Sequence, residues 1–119
     1  MKEQMINMLE TKILVIDDEE SIRFTFENFL SEKGYSVTTA KDFDEAIARI
    51  AAADFDVIFA DILLGNKTGI DILKEIRDRG NTCPVIMVTG YPNVDTASDA
   101  VRLGAFDYIP KPVRQATLL

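Results

Sequence analysis

Residues 12–21 read KILVIDDEES, and this stretch indicates how the chain folds. Its aliphatic run, residues 13–16, is mostly β-branched and is typical of a buried strand. The run stops abruptly at the acidic pair Asp17-Asp18. From Ser21 onward the apolar residues recur with helical spacing, at Ile22, Phe26, Phe29 and Leu30. The stretch therefore predicts a strand, an acidic junction and a helix.

The same alternation of strand and helix continues along the chain. Further strands are predicted at residues 35–39, 55–60, 84–88 and 105–109. Helices are predicted after Asp42, after Gly69 and from Asn93 or Asp95, whereas residues 63–68 are expected to form a loop. Residues 113–119 would begin a last helix that is truncated. Residues 1–11 are expected to be an N-terminal lead, and residues 12–119 one domain.

Continuous apolar strands that alternate with amphipathic helices are typical of a parallel sheet covered on both faces. We therefore predict an α/β fold, a doubly wound, flavodoxin-like sheet of five parallel strands. For a sheet of this size the expected strand order is 2-1-3-4-5, with the ligand site beyond the carboxyl ends of strands 1 and 3.

Composition narrows the classes of function. The chain has 119 residues, a net charge of −7 and no histidine, which excludes histidine-based triads and histidine-ligated zinc. No apolar run approaches the roughly 20 residues of a membrane span, and the N-terminus does not resemble a signal peptide. Without a Lys/Arg cluster, direct binding to nucleic acid is not expected. The single cysteine, Cys83, fits a cytoplasmic protein.

Polar residues follow four of the predicted strands. The pair Asp17-Asp18 follows the first strand, Asp61 the third, Thr89 the fourth and Lys111 the fifth. Taken alone, Asp17-Asp18, Thr89 and Lys111 are more often a helix cap, a turn residue and a solvated lysine, and Asp61 could equally begin a turn. In the predicted winding, however, these strand ends meet at one edge of the sheet, and capping does not require that combination.

A cluster of this kind needs positive charge. Two carboxylates about 4 Å apart repel by roughly 4 kcal/mol at an effective dielectric constant near 20. Lys111 supplies one positive charge, and a hard divalent cation such as Mg²⁺ would supply the rest. An aspartate can attack phosphorus to give an acyl phosphate. Lys111 and the metal would then neutralise the phosphoryl oxygens, and Thr89 could donate a hydrogen bond to them.

Four segments together resemble the receiver domains of two-component response regulators: KILVIDDEES at 12–21, DVIFADILLGNKTGIDILKEIR at 56–77, PVIMVTGY at 84–91 and GAFDYIPKP at 104–112. The resemblance implies that Asp61 is phosphorylated by a sensor histidine kinase or a phosphotransfer protein. It implies Mg²⁺ ligands at Asp17, Asp18, Asp61 and the backbone carbonyl of Leu63. It also implies that Thr89 and Lys111 contact the phosphate.

The resemblance further implies a switch formed by Thr89 and Tyr108. This switch would change the surface of helix 4 and strand 5, to which an effector domain or a second copy of the chain could bind. Such a chain is not an enzyme but a phosphoacceptor that assists its own phosphorylation and dephosphorylation. One departure is Gly65, which stands where the family usually has proline.

Three alternatives remain open. A flavodoxin-like cofactor protein would need a loop that cradles a flavin phosphate, which Asp17 and Asp18 would repel. A magnesium-dependent phosphatase of the haloacid dehalogenase type would need a second aspartate two residues after Asp17, where the chain has Glu19. A degenerate receiver that acts only as a binding module is the third.

Overall fold

The structure is a computed structural model that describes residues 11–65 and 67–111. The main sheet consists of five parallel strands: β1 (Lys12–Ile16), β2 (Ser36–Ala40), β3 (Val57–Asp61), β4 (Val85–Thr89) and β5 (Asp107–Pro110). Four helices alternate with them in the described part of the chain: α1 (Glu20–Glu32), α2 (Phe43–Ala52), α3 (Gly69–Asp78) and α4 (Val94–Arg102).

The strand order in the sheet is β2-β1-β3-β4-β5, which confirms the predicted winding. At its last residue, Ile16, β1 pairs with Ala40 of β2 on one side and with Ala60 of β3 on the other. The carboxyl ends of β1 and β3 are therefore neighbours. This register brings Asp17, which follows β1, and Asp61, the last residue of β3, to the same edge.

The core forms a layer on each face of the sheet, because successive residues of a strand point to opposite faces. Leu14 and Ile16 of β1 belong to the larger cluster, with buried residues of α2, α3 and α4. Ile13 and Val15 belong to the smaller cluster, with Phe26 of α1. Among the described residues, one helix thus covers one face and three helices cover the other, which is the predicted doubly wound arrangement.

Side-chain caps fix where three of the helices begin. Asp42 accepts a hydrogen bond from the backbone N–H of Glu45 at 2.8 Å, and Asn93 accepts one from Thr96 N–H at 2.9 Å. Asn93, rather than Asp95, is therefore the cap of α4. The third cap, at Thr68, is a full capping box with the residue at position 71 of α3 and was not predicted.

The expected loop at residues 63–68 is instead a small antiparallel hairpin. Its two strands are Leu63–Leu64 and Lys67–Thr68, and Leu63 pairs with Thr68. Gly65 adopts a φ of +80° in the turn, a conformation that glycine takes without strain. Strands of two residues are too short to produce a periodic sequence pattern, so the prediction of a loop was wrong here.

Two predictions fall outside the described residues. The N-terminal lead was assigned to residues 1–11, of which only Thr11 is described, and the truncated last helix was assigned to residues 113–119. Among the residues that are described, no helix is both long enough and apolar enough to cross a membrane.

Candidate functional site

Three of the predicted residues meet at the carboxyl edge of the sheet. Lys111 Nζ lies 2.9 Å from Asp17 Oδ2 and 3.2 Å from Asp61 Oδ2. The backbone N–H of Lys111 donates to the carbonyl of Thr89 at 2.7 Å, which directs the lysine back over the strand ends. The side chains of Asp17 and Asp61 are only 4% and 5% exposed, so this is a largely buried ion-pair network.

The loop after β1 holds the acidic group. Asp17 Oδ1 accepts a hydrogen bond from Glu19 N–H at 2.9 Å, and Arg23 Nη1 donates to the Asp17 carbonyl at 2.7 Å. Asp17, Asp18 and Glu19 can each direct one carboxylate oxygen to within 4.8 Å of the others. Glu19 was not among the predicted ligands. Its sequence signal was only its place beside the acidic pair, which also suits a solvated helix start.

Asp61 is held by its neighbours on both oxygens. Oδ1 accepts a hydrogen bond from Leu63 N–H at 3.3 Å, and Oδ2 accepts one from Lys111 at 3.2 Å. Gly69, at the start of α3, packs against the backbone of Asp61. A Cβ atom on Gly69 would overlap the carbonyl oxygen of Asp61 and the methyl group of Met87, so only glycine allows this close approach.

The site carries more negative charge than one lysine balances. Burial, together with the charge of Asp17, raises the pKa of Asp61 from 3.8 to about 6, although Lys111 acts in the opposite direction. Burial alone would lower the pKa of Lys111, but its hydrogen bond with Asp17 and the charges of Asp17 and Asp61 outweigh burial and leave that pKa raised. A site whose several carboxylates are balanced by only one lysine fits a hard divalent cation such as Mg²⁺.

An open pocket of about 160 Å³ lies beside Asp61. It is lined by Asp18, Glu19, Asp61, Leu63, Gly90, Tyr91 and Lys111. Leu63 is 47% exposed and Tyr91 is 74% exposed, so both side chains lie at the mouth of the pocket rather than in the core. The Asp61 carboxylate therefore borders a pocket that is open to solvent.

The two predicted switch residues are both bonded to the segment at the start of α4. Thr89 is fully buried, and its Oγ1 accepts a hydrogen bond from Tyr91 N–H at 3.0 Å. The Tyr108 hydroxyl accepts one from Asn93 N–H at 3.2 Å and shares a second, at 2.7 Å, with Thr96 Oγ1. Thr96 was not predicted, since a threonine on a helix surface gives no signal of its partner on a strand.

Comparison with known proteins gives one family. The family model described as the response regulator receiver domain matches residues 13–119. The chain is 42% identical over 101 residues to the alginate biosynthesis transcriptional regulatory protein AlgB of Pseudomonas aeruginosa, covering 85% of the chain and 22% of that protein. It is 38% identical over 100 residues to the DNA-binding transcriptional regulator NtrC of Salmonella typhimurium, covering 84% of the chain and 21% of that protein. The chain thus spans about a fifth of the length of these relatives.

Solved structures agree with this. A two-component response regulator from Clostridium difficile superposes with a TM-score of 0.87 at 34% identity, covering 92% of this chain and 89% of that one. The chemotaxis protein CheY4 of Vibrio cholerae superposes with a TM-score of 0.85 at 33% identity, covering 91% of this chain and 92% of that one. A response regulator from Burkholderia pseudomallei superposes with a TM-score of 0.86 at 33% identity, covering 92% of this chain and 64% of that one. Its structure was solved with a phosphorylated aspartic acid, a calcium ion and citrate.

Proposed function

The chain belongs to the response regulator receiver domain family, and on that premise we propose that it is a signalling switch that accepts a phosphoryl group on Asp61. The observation that carries the assignment is the buried carboxylate of Asp61 at the end of β3, bonded to Lys111 and open to a pocket. The phosphorylated aspartic acid in the Burkholderia pseudomallei protein supports the same chemistry on a closely similar fold. The receiver domain is proposed to comprise residues 12–119.

The phosphoryl donor in this proposal is a phosphohistidine on a sensor histidine kinase or a phosphotransfer protein. One carboxylate oxygen of Asp61 attacks the phosphorus, and a P–O bond forms while the P–N bond of the donor breaks. The donor imidazole leaves with the electron pair of that bond. Lys111 Nζ, already within 3.2 Å of Asp61, balances the negative charge that accumulates on the phosphoryl oxygens.

The metal in this proposal is Mg²⁺, which would be held by the carboxylates of Asp18 and Asp61 and by the backbone carbonyl of Leu63, with Asp17 contributing largely indirectly. When bound, Mg²⁺ neutralises phosphate oxygens and offsets the repulsion between the acids. Glu19 belongs to the compact acidic group with Asp17 and Asp18 and adds to the field that attracts the cation. The raised pKa of Asp61 supports the assignment, because burial first and the charge of Asp17 second disfavour the free carboxylate, and a bound cation would offset both effects.

The output of the switch is proposed to be a change in the surface of α4 and β5. Thr89 would turn toward the phosphoryl group, and Tyr108 would follow it inward. That surface would then bind an effector domain or a second copy of the chain. The named relatives are transcriptional regulators about five times longer than the match, which supports an effector domain and a cytoplasmic location in this proposal.

This reading makes the chain a phosphoacceptor that promotes its own phosphorylation and dephosphorylation, not a turnover enzyme. In the phosphatase alternative, the nucleophile would follow β1. Both oxygens of Asp17 and both oxygens of Asp61 are bonded, but Asp61 lines the open pocket and Asp17 does not. The geometry thus favours Asp61 as the acceptor.

The direct test is the intact mass of the chain after incubation with acetyl phosphate and Mg²⁺. We expect one added phosphoryl group in the wild type and none in Asp61→Asn. Asp78→Asn, which removes an exposed acid at the end of α3, is the matched control and should be labelled as the wild type is. Labelling that persists in Asp61→Asn would contradict the assignment.

A further inference from the structure

The hairpin that follows Asp61 carries backbone groups on which the site depends. Leu63, in its first strand, donates its N–H to Asp61 Oδ1 at 3.3 Å, and its carbonyl is a proposed Mg²⁺ ligand. The turn contains Gly65 instead of proline, and no described atom lies within 4 Å of where a Cβ on Gly65 would stand. Among the described residues, no packing against Gly65 holds this part of the hairpin, so the contacts made by its two strands are the ones that can position it.

One such contact joins the second strand of the hairpin to α2. Lys67 Nζ lies 5.0 Å from the centroid of the Phe43 ring, within the range of a cation–π interaction. Phe43 is half-buried and packs against the larger core cluster, which restricts the movement of its ring. Asp42 and Asp44 line the same cleft as Phe43 and Lys67, and their negative charges favour the ammonium group in this position.

We propose that Lys67 is a positioning residue whose contact with Phe43 ties the hairpin to α2 and thereby keeps Leu63 against Asp61. Lys67 pairs directly with Leu64, the neighbour of Leu63, so a displacement of the second strand is passed to the first. The effect on Leu63 needs no metal. Its consequence for Mg²⁺ rests on the proposed function, because only there does the backbone of Leu63 serve as a ligand.

The first experiment measures amide hydrogen exchange at Leu63 in the metal-free chain. Lys67→Met removes the charge, and Phe43→Leu removes the ring but leaves the charge. In both variants we expect the exchange at Leu63 to be about two to five times faster, the factor that corresponds to a cation–π contact at an exposed site. Lys67→Arg keeps a cation over the ring and should restore the wild-type exchange.

The chain offers a matched control in a second cation–π pair. Lys33 Nζ lies 5.6 Å from the centroid of the Phe29 ring, at the end of α1 away from the site. Lys33→Met should lower the stability of the fold about as much as Lys67→Met does. It should leave the exchange at Leu63 unchanged, which separates a positioning role from a general loss of stability.

The second experiment measures Mg²⁺ affinity by calorimetry, where two explanations predict opposite signs. Removing the positive charge of Lys67 near an acidic site would by itself strengthen the binding of a cation. If Lys67 positions Leu63, Lys67→Met and Phe43→Leu should instead weaken Mg²⁺ binding, again by about two to five times. Lys67→Arg should bind Mg²⁺ as the wild type does.

Each outcome decides a different claim. Unchanged exchange at Leu63 in both Lys67→Met and Phe43→Leu would overturn the inference, whatever the metal does. Faster exchange with tighter Mg²⁺ binding in Lys67→Met would overturn the link from the hairpin to the metal. A wild type that shows the expected exchange pattern but takes no phosphoryl group would instead contradict the proposed function and support the tie between the hairpin and α2.

Discussion

Asp17 and Asp18 are adjacent in the chain, yet their carboxylates lie in different surroundings. Asp17 is buried, with one oxygen bonded to Glu19 N–H and the other to Lys111, whereas Asp18 is exposed and lines the pocket. We expect Asp17→Ala to weaken Mg²⁺ binding by about tenfold, the scale of a partner that acts indirectly, and Asp18→Ala to weaken it more. Calorimetry suits the measurement, since the chain has no tryptophan.

The control for this pair is Asp78→Ala, which removes an acid of equal charge on α3 and should bind Mg²⁺ as the wild type does. Equal affinity in the wild type, Asp17→Ala and Asp18→Ala would refute the proposed metal site. A greater loss in Asp17→Ala than in Asp18→Ala would instead assign the direct ligand to the buried acid.

The lifetime of the phosphorylated state is also decided at single residues. Leu63 and Tyr91 both line the mouth of the pocket, and an acyl phosphate is lost when water attacks in line from that side. A leucine cannot orient this water by hydrogen bonding, and a tyrosine ring can block its path. We therefore expect slow loss of the phosphoryl group, and faster loss in Leu63→Asn and in Tyr91→Ala.

The decay is followed by intact mass after removal of the phosphodonor. Because one hydrogen bond or one blocked approach is worth about 1.4 kcal/mol or less, the acceleration should be up to about tenfold in each variant. Phe106→Ala, at an exposed apolar residue that does not line the pocket, is a suitable control. If neither pocket variant decays faster than the wild type, these two residues do not limit access of water.

At the scale of elements, the unit that we propose to change is β5 together with the start of α4. In this structure Tyr108 is hydrogen-bonded to Asn93 and Thr96, and Thr89 to Tyr91 N–H. A Thr89 hydroxyl that turns toward a phosphoryl group would donate its O–H to it, and the turn would shift the Oγ1 atom to which Tyr91 N–H is bonded. To shift the population from 1:99 to 99:1, phosphorylation must favour the active form by about 5.5 kcal/mol, which charge-assisted contacts to Thr89 and Lys111 plus the metal can supply.

We expect the addition of beryllofluoride and Mg²⁺ to change NMR chemical shifts along this surface, at Val94, Ser98, Arg102 and Tyr108. Thr96→Val, which removes the hydroxyl that bonds to Tyr108, should lower the amount of beryllofluoride needed. The amide of Lys33, at the far end of α1, is an internal control. Shifts confined to the residues around the pocket would show that the signal is not transmitted to α4.

The sequence patterns located the five strands of the main sheet and the four described helices to within a few residues. These elements are long enough to show a period, and most of the helices begin at a capping side chain. They failed on the hairpin, where two-residue strands show no period. They also extended β5 too early, since it begins at Asp107 rather than at residue 105. The capping box at Thr68 was readable as Thr-x-x-Asp but was hidden within a segment expected to be a loop.

At the scale of the whole molecule, the buried charge of Asp61 affects the stability of the fold. Its pKa is about 6 in the folded chain and 3.8 for an ordinary carboxyl, so the folded chain binds more protons between these values. Stability that is present below about pH 4 is therefore lost as the pH rises to about 6 and beyond. Each pKa unit is worth about 1.4 kcal/mol, so the loss at neutral pH is up to about 3 kcal/mol.

We accordingly expect Asp61→Asn, without Mg²⁺, to unfold with a free energy about 1 to 3 kcal/mol higher than that of the wild type at pH 7, and to lose this advantage near pH 4. Urea unfolding followed by circular dichroism at several pH values measures the difference. Asp78→Asn should show no such pH-dependent gain. A wild type that is more stable than Asp61→Asn at pH 7 would contradict the raised pKa.

The gathering of Asp17, Asp61 and Lys111 was predictable from the winding, because parallel strands end at a common edge. The partners of each atom were not. Nothing in the sequence shows that Lys111 divides its ammonium group between Asp17 and Asp61, or that the Tyr108 hydroxyl reaches Thr96. Such details depend on side-chain rotamers and on distances of a few tenths of an ångström, which a linear pattern does not encode.

The ion pair between Asp17 and Lys111 joins the beginning and the end of the described chain, and this bears on how the protein is made. While the ribosome is still synthesising β5, Asp17 and Asp61 have no lysine between them, and burying two unpaired carboxylates opposes folding. The emerging chain therefore gains the ammonium group that bonds to both acids only once Lys111 has left the exit tunnel. We accordingly expect a polypeptide that ends before Lys111, although it contains Asp61, to fold less stably than the chain that includes this lysine.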